Sequence, residues 1–426
     1  MERRDYPQIR ESCWRQRLEN GLAVCVVPKP EYHKSFAFFA ANYGGMDTRY
    51  RLAGEWRDSP AGVAHFLEHK LFDTREGNAL QLLAASGASP NAFTSASLTG
   101  YHVSCTDGFW DNLRVLLSFV TQPWFTPESV AKEQGIIGQE IAMIEDDPGW
   151  RVYEGLLTGL YRHHPVRVSV AGSRESIAAI TDQTLYDCHR AFYHPGNLAL
   201  CVAGDVDPER VADLAREVAD QADLGPVERD YGPAEPETAA APLVRREMEV
   251  SAPQMLTGFK GPVPPEGEAG FRLRLTGQLA GELLAGESSP LYADLYDRGL
   301  INRSFGVSFE VYPGASFLGM GGESGRPEEV AARLAEEAAR LAREGAGAER
   351  FRRLKRAAYG GQVRGLSFEQ LCIQLARGQF GGYDFLDFPR LYDSITLEET
   401  LDLLGRLAEE GRQATSIIDP KGGGNP

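Results

Sequence analysis

Beyond position 194 the chain has no histidine. All eight, His33, His65, His69, His102, His163, His164, His189 and His194, lie in the first half of its 426 residues, so a histidine-ligated metal can sit only there. Cysteine is sparse as well. Cys13, Cys25, Cys105, Cys188, Cys201 and Cys372 show no C-x-x-C spacing, which argues against a thiolate zinc site and a disulfide framework, and for reduced thiols buried as small apolar residues. No apolar run reaches the roughly 20 residues of a membrane span. Positive charge is in deficit, 44 Lys+Arg against 60 Asp+Glu, and the acidic excess is spread along the chain. That balance argues against nucleic acid as a partner, because phosphate binding needs a basic surface. The first residues, Met1 to Glu11, lead into no apolar segment, so the expectation is a cytoplasmic protein without a secretory signal.

What is present fits two domains of about 200 residues each. Strand-like runs appear at Leu22–Val27 and Lys34–Ala40, then at Asn91–Thr94, Tyr101–Cys105 and Leu198–Ala203. Helical stretches lie between them, and Asp207-Pro208 is placed to cap one more. Residues 223–244 are rich in Pro, Ala and acidic residues without periodicity, and read as a linker. After it the pattern restarts with strands at Glu247–Val250 and Met255–Phe259, helices, strands again, and long helices to Tyr359. The Arg/Lys/Glu-rich last of these reads as a solvated face. The expected organisation is an α+β fold of two homologous mixed-sheet-plus-helices domains in tandem, 1–222 and 245–426, joined by 223–244.

Within the first domain, residues 65 to 69 read His65-Phe66-Leu67-Glu68-His69. Each helical residue turns about 100°, so His65 and His69 share a face and can grip one ion, while Glu68 stands about 60° to one side, within reach of a water. The order is that of the inverted zincin signature, H-x-x-E-H. Catalytic zinc keeps three protein ligands and one open position, so a third donor must come from elsewhere. Glu133 and Glu140, seven residues apart on a second expected helix, share a face, with Ile136, Ile137 and Ile141 marking that helix as half-buried. One carboxylate can bind the ion and the other steady a histidine. Alone, the five-residue string is equally compatible with a solvated helix face; the downstream acidic pair favours the metal.

Four blocks then resemble the pitrilysin and insulysin family of zinc peptidases, which includes mitochondrial processing peptidase: Ala64–Phe72, Ser89–Ser95, Glu133–Glu140 and Phe192–Asp207. Within that family the likeness is to small bacterial members of the YmfH type, and it continues through Gly258-Phe259-Lys260-Gly261-Pro262. The resemblance implies one zinc ion per chain held by His65, His69 and Glu140, with Glu68 as general base and Glu133 as a supporting catalytic carboxylate. It also implies that Asn91, Ala92, Phe93 and Thr94 form an edge strand on which a peptide substrate adds, Asn91 orienting its carbonyl. A plain turn-and-strand element is the bland alternative. His102 reads as a structural histidine, and His163-His164 as a loop pair without metal.

One departure stands out. Active members of the family need an Arg followed seven residues later by a Tyr. Here one register places Leu295 and Asn302 at those positions and the other Tyr296 and Arg303. The chain therefore resembles the metal-bearing half of an enzyme. A homologous subunit would supply the Arg and Tyr, or a homodimer would form. The expected function is a zinc metalloendopeptidase acting on short or unfolded peptides, with no nucleic acid or membrane partner. Its alternatives are a weakly active or non-catalytic peptide-binding or assembly subunit that keeps zinc, and a hydrolase of other amides.

Overall fold

The structure, a computed structural model, describes residues 1–422. Seven strands build the first sheet: β1 (Glu2–Tyr6), β2 (Glu11–Arg17), β3 (Ala23–Pro28), β4 (Ser35–Ala41), β5 (Ser89–Thr94), β6 (Thr99–Cys105) and β7 (Leu198–Gly204). Their order is β1-β2-β3-β7-β4-β6-β5, with β3 and β7 parallel and every other pair antiparallel. The central strands β4 and β7 are buried along their whole length, which is why both read as unbroken apolar runs rather than alternating ones. β5 closes one end of the sheet, and among the described residues no strand pairs with its outer edge. Among the helices of this part are α1 (Val63–Leu71) and α2 (Pro127–Asp146), followed by α3 (Pro148–Leu160).

The second sheet has five strands: β8 (Leu243–Met248), β9 (Gln254–Lys260), β10 (Gly306–Tyr312), β11 (Ala315–Glu323) and β12 (Gln413–Pro420), in the order β8-β12-β9-β11-β10. β8 and β12 are parallel and the remaining pairs antiparallel. Counting from β3 in the first sheet and β8 in the second, each set of five pairs in the order first, fifth, second, fourth, third, with the parallel pair in the same place. α4 (Gly267–Ala285) and α5 (Pro290–Asp297) fall between the second and third of these strands, as α1 does in the first sheet. α6 (Ala348–Arg364) holds the place of α2, and α7 (Phe368–Gly381) follows it as α3 follows α2. Two mixed sheets with helices, related by this shared order, are the α+β tandem expected from the sequence.

The chain divides into two compact units, and both are discontinuous: Met1–Ile141, Ser169–Tyr231 and Val363–Pro389 form one, and Ala142–Val168, Gly232–Gln362 and 390 onward the other. α3 packs on β12, β9 and β8, while α7 packs on β7 and β4, so each half of the sequence lends a helix to the other half's sheet. The core of the second unit gathers Leu284, Leu295, Leu318, Val330, Leu404 and Ile417.

The stretch of linker-like composition is tied down at both ends. In the first unit Arg229 and Tyr231 bind Asp47, which is 2% exposed. In the second, the Glu235 carboxylate accepts from the backbone N–H groups of Arg162, His163 and His164 at 2.6, 2.8 and 3.0 Å and from Lys260 Nζ at 2.9 Å. These four donors drive its pKa down to about 2 despite its burial. β8 begins at Leu243, inside the same stretch, rather than at Glu247. All six cysteines are free and buried. Among the described residues no helix is long and apolar enough to cross a membrane.

Candidate metal centre

α1 owes its phase to its buried side. Val63, Phe66, Leu67, Lys70 and Leu71 are buried, and covering Phe66 and Leu67 alone contributes about 1.5–3 kcal/mol each. That packing fixes the helix rotation and leaves His65 and His69 on the remaining face. Lys70, buried within this packing, pairs with Asp73 just past the helix end. The helix starts at Gly62 with φ +91°, and a Cβ there would stand 2.6 Å from the Ala171 carbonyl oxygen, so the entry turn needs glycine.

α2 brings the carboxylates. Ile137 and Ile141, one turn apart, are buried and seat the helix. Ile136 departs from the expectation: it is 48% exposed, because it lies about 100° round the helix from Ile137. Glu133 and Glu140 share the face turned toward α1. His69 Nδ1 lies 3.0 Å from Glu133 Oε1; donating its proton there leaves the Nε2 lone pair facing Glu140. His65 Nε2 lies 3.5 Å from Glu140 Oε1, and His69 Nε2 lies 3.7 Å from Glu140 Oε2.

His65, His69 and Glu140 form the one group of three or more potential metal-ligating side chains among the described residues, with donor atoms all within 4.8 Å of one another. Donors on a tetrahedral ion with bonds of about 2.0–2.1 Å stand about 3.4 Å apart, close to the spacings seen. Two imidazoles and a carboxylate also match the donor chemistry of zinc. His65 Nδ1 is buried, with no hydrogen-bond partner among the described residues.

Glu68 faces the same space. It is 8% exposed, and its Oε2 accepts a 2.6 Å hydrogen bond from Thr94 Oγ1 at the end of β5. Burial pushes its pKa up, against the Thr94 hydrogen bond and the nearby His65 and His69. Burial works against the charged form of His69, but the Glu133 hydrogen bond and three surrounding carboxylates outweigh it, and its pKa is raised. The His65 contact draws the Glu140 carboxyl down. The arrangement can hold a divalent cation and keep a carboxylate of raised basicity beside it.

The other residues singled out from the sequence fall as follows. Ala92 and Thr94 lie opposite Tyr101 and Thr99, on the face of the sheet where Tyr101 meets Phe72 at the end of α1. Asn91 and Phe93 take the other face, where Phe93 stacks on Phe38, and Asn91 Oδ1 accepts from the Ala92 N–H. His102 sits on that face against Phe36 with its pKa lowered by burial. His164 caps a short turn through Nδ1 and donates from Nε2 to the Pro313 carbonyl. Tyr296, at the end of α5, and Arg303 are both exposed. The Thr94–Glu68 contact was not anticipated; the one sequence signal for it is strand alternation, which puts Thr94 on the face of Ala92.

Residues 53–174 match the family model described as Insulinase (Peptidase family M16), and residues 179–358 match Peptidase M16 inactive domain. The chain is 35% identical over 424 residues to the uncharacterized zinc protease YmfH of Bacillus subtilis (strain 168), covering 98% of this chain and 99% of that protein. The crystal structure of an M16-like peptidase from Alicyclobacillus acidocaldarius superposes with a TM-score of 0.92 at 32% identity, covering 96% of this chain and 99% of that one. The periplasmic protease PqqL from Escherichia coli shares the fold, with a TM-score of 0.72 at 18% identity; 98% of this chain matches 48% of that one. The chain thus belongs to peptidase family M16, whose members related to it are named zinc proteases.

Proposed function

We propose that this chain is a zinc metalloendopeptidase hydrolysing short or unfolded peptides, with His65, His69 and Glu140 as ligands. The observation that carries the reading is the convergence of two Nε2 atoms and one carboxylate beside the buried Glu68. Zinc bound there would lower the pKa of a water and polarise the scissile carbonyl. Glu68 accepts the proton of the attacking water and returns it to the leaving amine. Its buried setting strengthens it as a base. Glu133 holds the His69 ring and tautomer. The free edge of β5, Asn91 to Thr94, takes the substrate as an added strand through main-chain hydrogen bonds.

We further propose that the chain works as the metal-bearing subunit of a pair, a homologous subunit supplying the Arg and Tyr, with a homodimer as the other arrangement. Neither register around Leu295–Arg303 provides those residues here. We place the activity in the cytoplasm, a reducing compartment suited to six free thiols. A second reading, a peptide-binding or assembly subunit that keeps zinc, draws on the missing pair and on the inactive-domain match of residues 179–358; a zinc without turnover, however, has no use for Glu68. Zinc content and fluorogenic-peptide cleavage of wild type and Glu68→Gln, each with and without a homologous subunit, separate the two. Slow cleavage by the wild-type chain, enhanced by the partner and absent in E68Q, is the expected result. Equal cleavage by wild type and E68Q would remove Glu68 from its role.

A further inference from the structure

We infer that Thr94 is a positioning residue: its hydroxyl fixes the carboxylate of Glu68 and couples it to the strand on which substrate adds. The inference rests on the peptidase reading and deepens it. A glutamate carboxylate on a helix turns about three side-chain torsions, so burial alone leaves its oxygens free to exchange places. Thr94 Oγ1 lies 2.6 Å from Glu68 Oε2, and a hydroxyl has a single proton to give. The neighbouring Thr99 Oγ1 stands 3.4 Å from Thr94 Oγ1 but directs its proton to the Tyr43 carbonyl at 2.9 Å. Thr94 is therefore left to donate to Glu68, and Oε2 is tied. Oε1 stays available as the oxygen that takes a proton from water and returns the same proton to the leaving nitrogen.

The anchor is itself rigid. Thr94 pairs with Thr99 across the β5–β6 ladder, and that pairing fixes where its hydroxyl stands. It also ends β5, so a peptide lying on the free edge is placed in register with the residue that orients the base. A movement of the strand would shift base and substrate together. A group that only satisfied a buried carboxylate would affect stability and leave turnover of the folded protein alone.

The test uses the full-length, zinc-loaded chain with an unstructured fluorogenic peptide, comparing wild type, Thr94→Val and Thr94→Ser. Valine keeps the shape and removes the donor. We expect Thr94→Val to lower kcat by about 10- to 100-fold with KM within about twofold, zinc content unchanged, and Thr94→Ser to recover to within about threefold of wild type. Wild-type kcat in Thr94→Val, or failure of serine to rescue, would overturn the inference while leaving the peptidase reading intact. A zinc-loaded wild type without any cleavage, alone or paired, would overturn both. A readout independent of turnover is thermal melting of the zinc-free protein for Thr94→Val, Glu68→Leu and the double variant. The contact requires the two losses in Tm to fall short of adding; strictly additive losses would refute it.

Discussion

Between β4 and β5 the first unit places α1, with His65, Glu68 and His69; at the same point in the strand order the second unit places α4 and α5, which contain no histidine. The next pair diverges as sharply. α2 carries Glu133 and Glu140, whereas α6 in its place carries Arg350, Arg352, Arg353, Lys355 and Arg356. Yet the five-strand order is the same in both. The scaffold therefore folds with or without the ligand set, held by apolar residues such as those of β4 and β7 in one unit and Leu318, Val330 and Ile417 in the other. The proposed metal-ligating side chains are additions to a fold that does not depend on them, unlike structural zinc sites, where the metal supplies folding energy.

The largest expected effect is on turnover. Glu68→Gln should reduce peptide cleavage by about 100- to 10,000-fold while zinc measured by atomic absorption stays near one ion per chain. The next is on metal content. His65→Ala should remove zinc from the purified protein, with the circular dichroism spectrum retained. A chain that instead unfolds on losing zinc would show that the first unit's fold depends on the metal. Glu133→Gln should be milder, weakening zinc affinity about 10- to 100-fold in chelator competition, because His69 keeps its ligating atom and loses only its support.

The smallest effect lies in the second unit. The four donors hold the Glu235 carboxyl down at about 2 in the folded chain, below its ordinary value of about 4.3, so its ionised form stabilises the fold at neutral pH. Because the folded pKa is depressed, that stability is present above about pH 4.3 and is lost as pH falls toward 2. Glu235→Gln should therefore melt below wild type at pH 7, and the gap should close by pH 2. A gap unchanged across that range would show that the charge is not what the four donors hold.

Much of this was legible in sequence because it is local. The H-x-x-E-H spacing and the seven-residue interval of Glu133 and Glu140 fix shared faces through helical geometry alone. The restart of strands after residue 244 announced the second sheet. Other features depend on tertiary context. Periodicity shows that α3 has an apolar face but not that β12, β9 and β8 cover it, nor that β7 and β4 receive α7. Glu235 sits in a stretch with linker composition, and its burial depends on three backbone N–H groups some 70 residues away. The phase that exposes Ile136 beside the buried Ile137 follows from how α2 is seated. The Thr94–Glu68 contact spans 26 residues of sequence and depends on where α1 meets β5.

Anomalous diffraction at the zinc edge from crystals of the zinc-loaded chain reads out the ligand set in one measurement. A single strong peak within bonding distance of His65 Nε2, His69 Nε2 and a Glu140 oxygen, beside Glu68, is the predicted result. A fully loaded protein whose peak lies elsewhere, or whose Glu140 points away from the ion, would contradict the account.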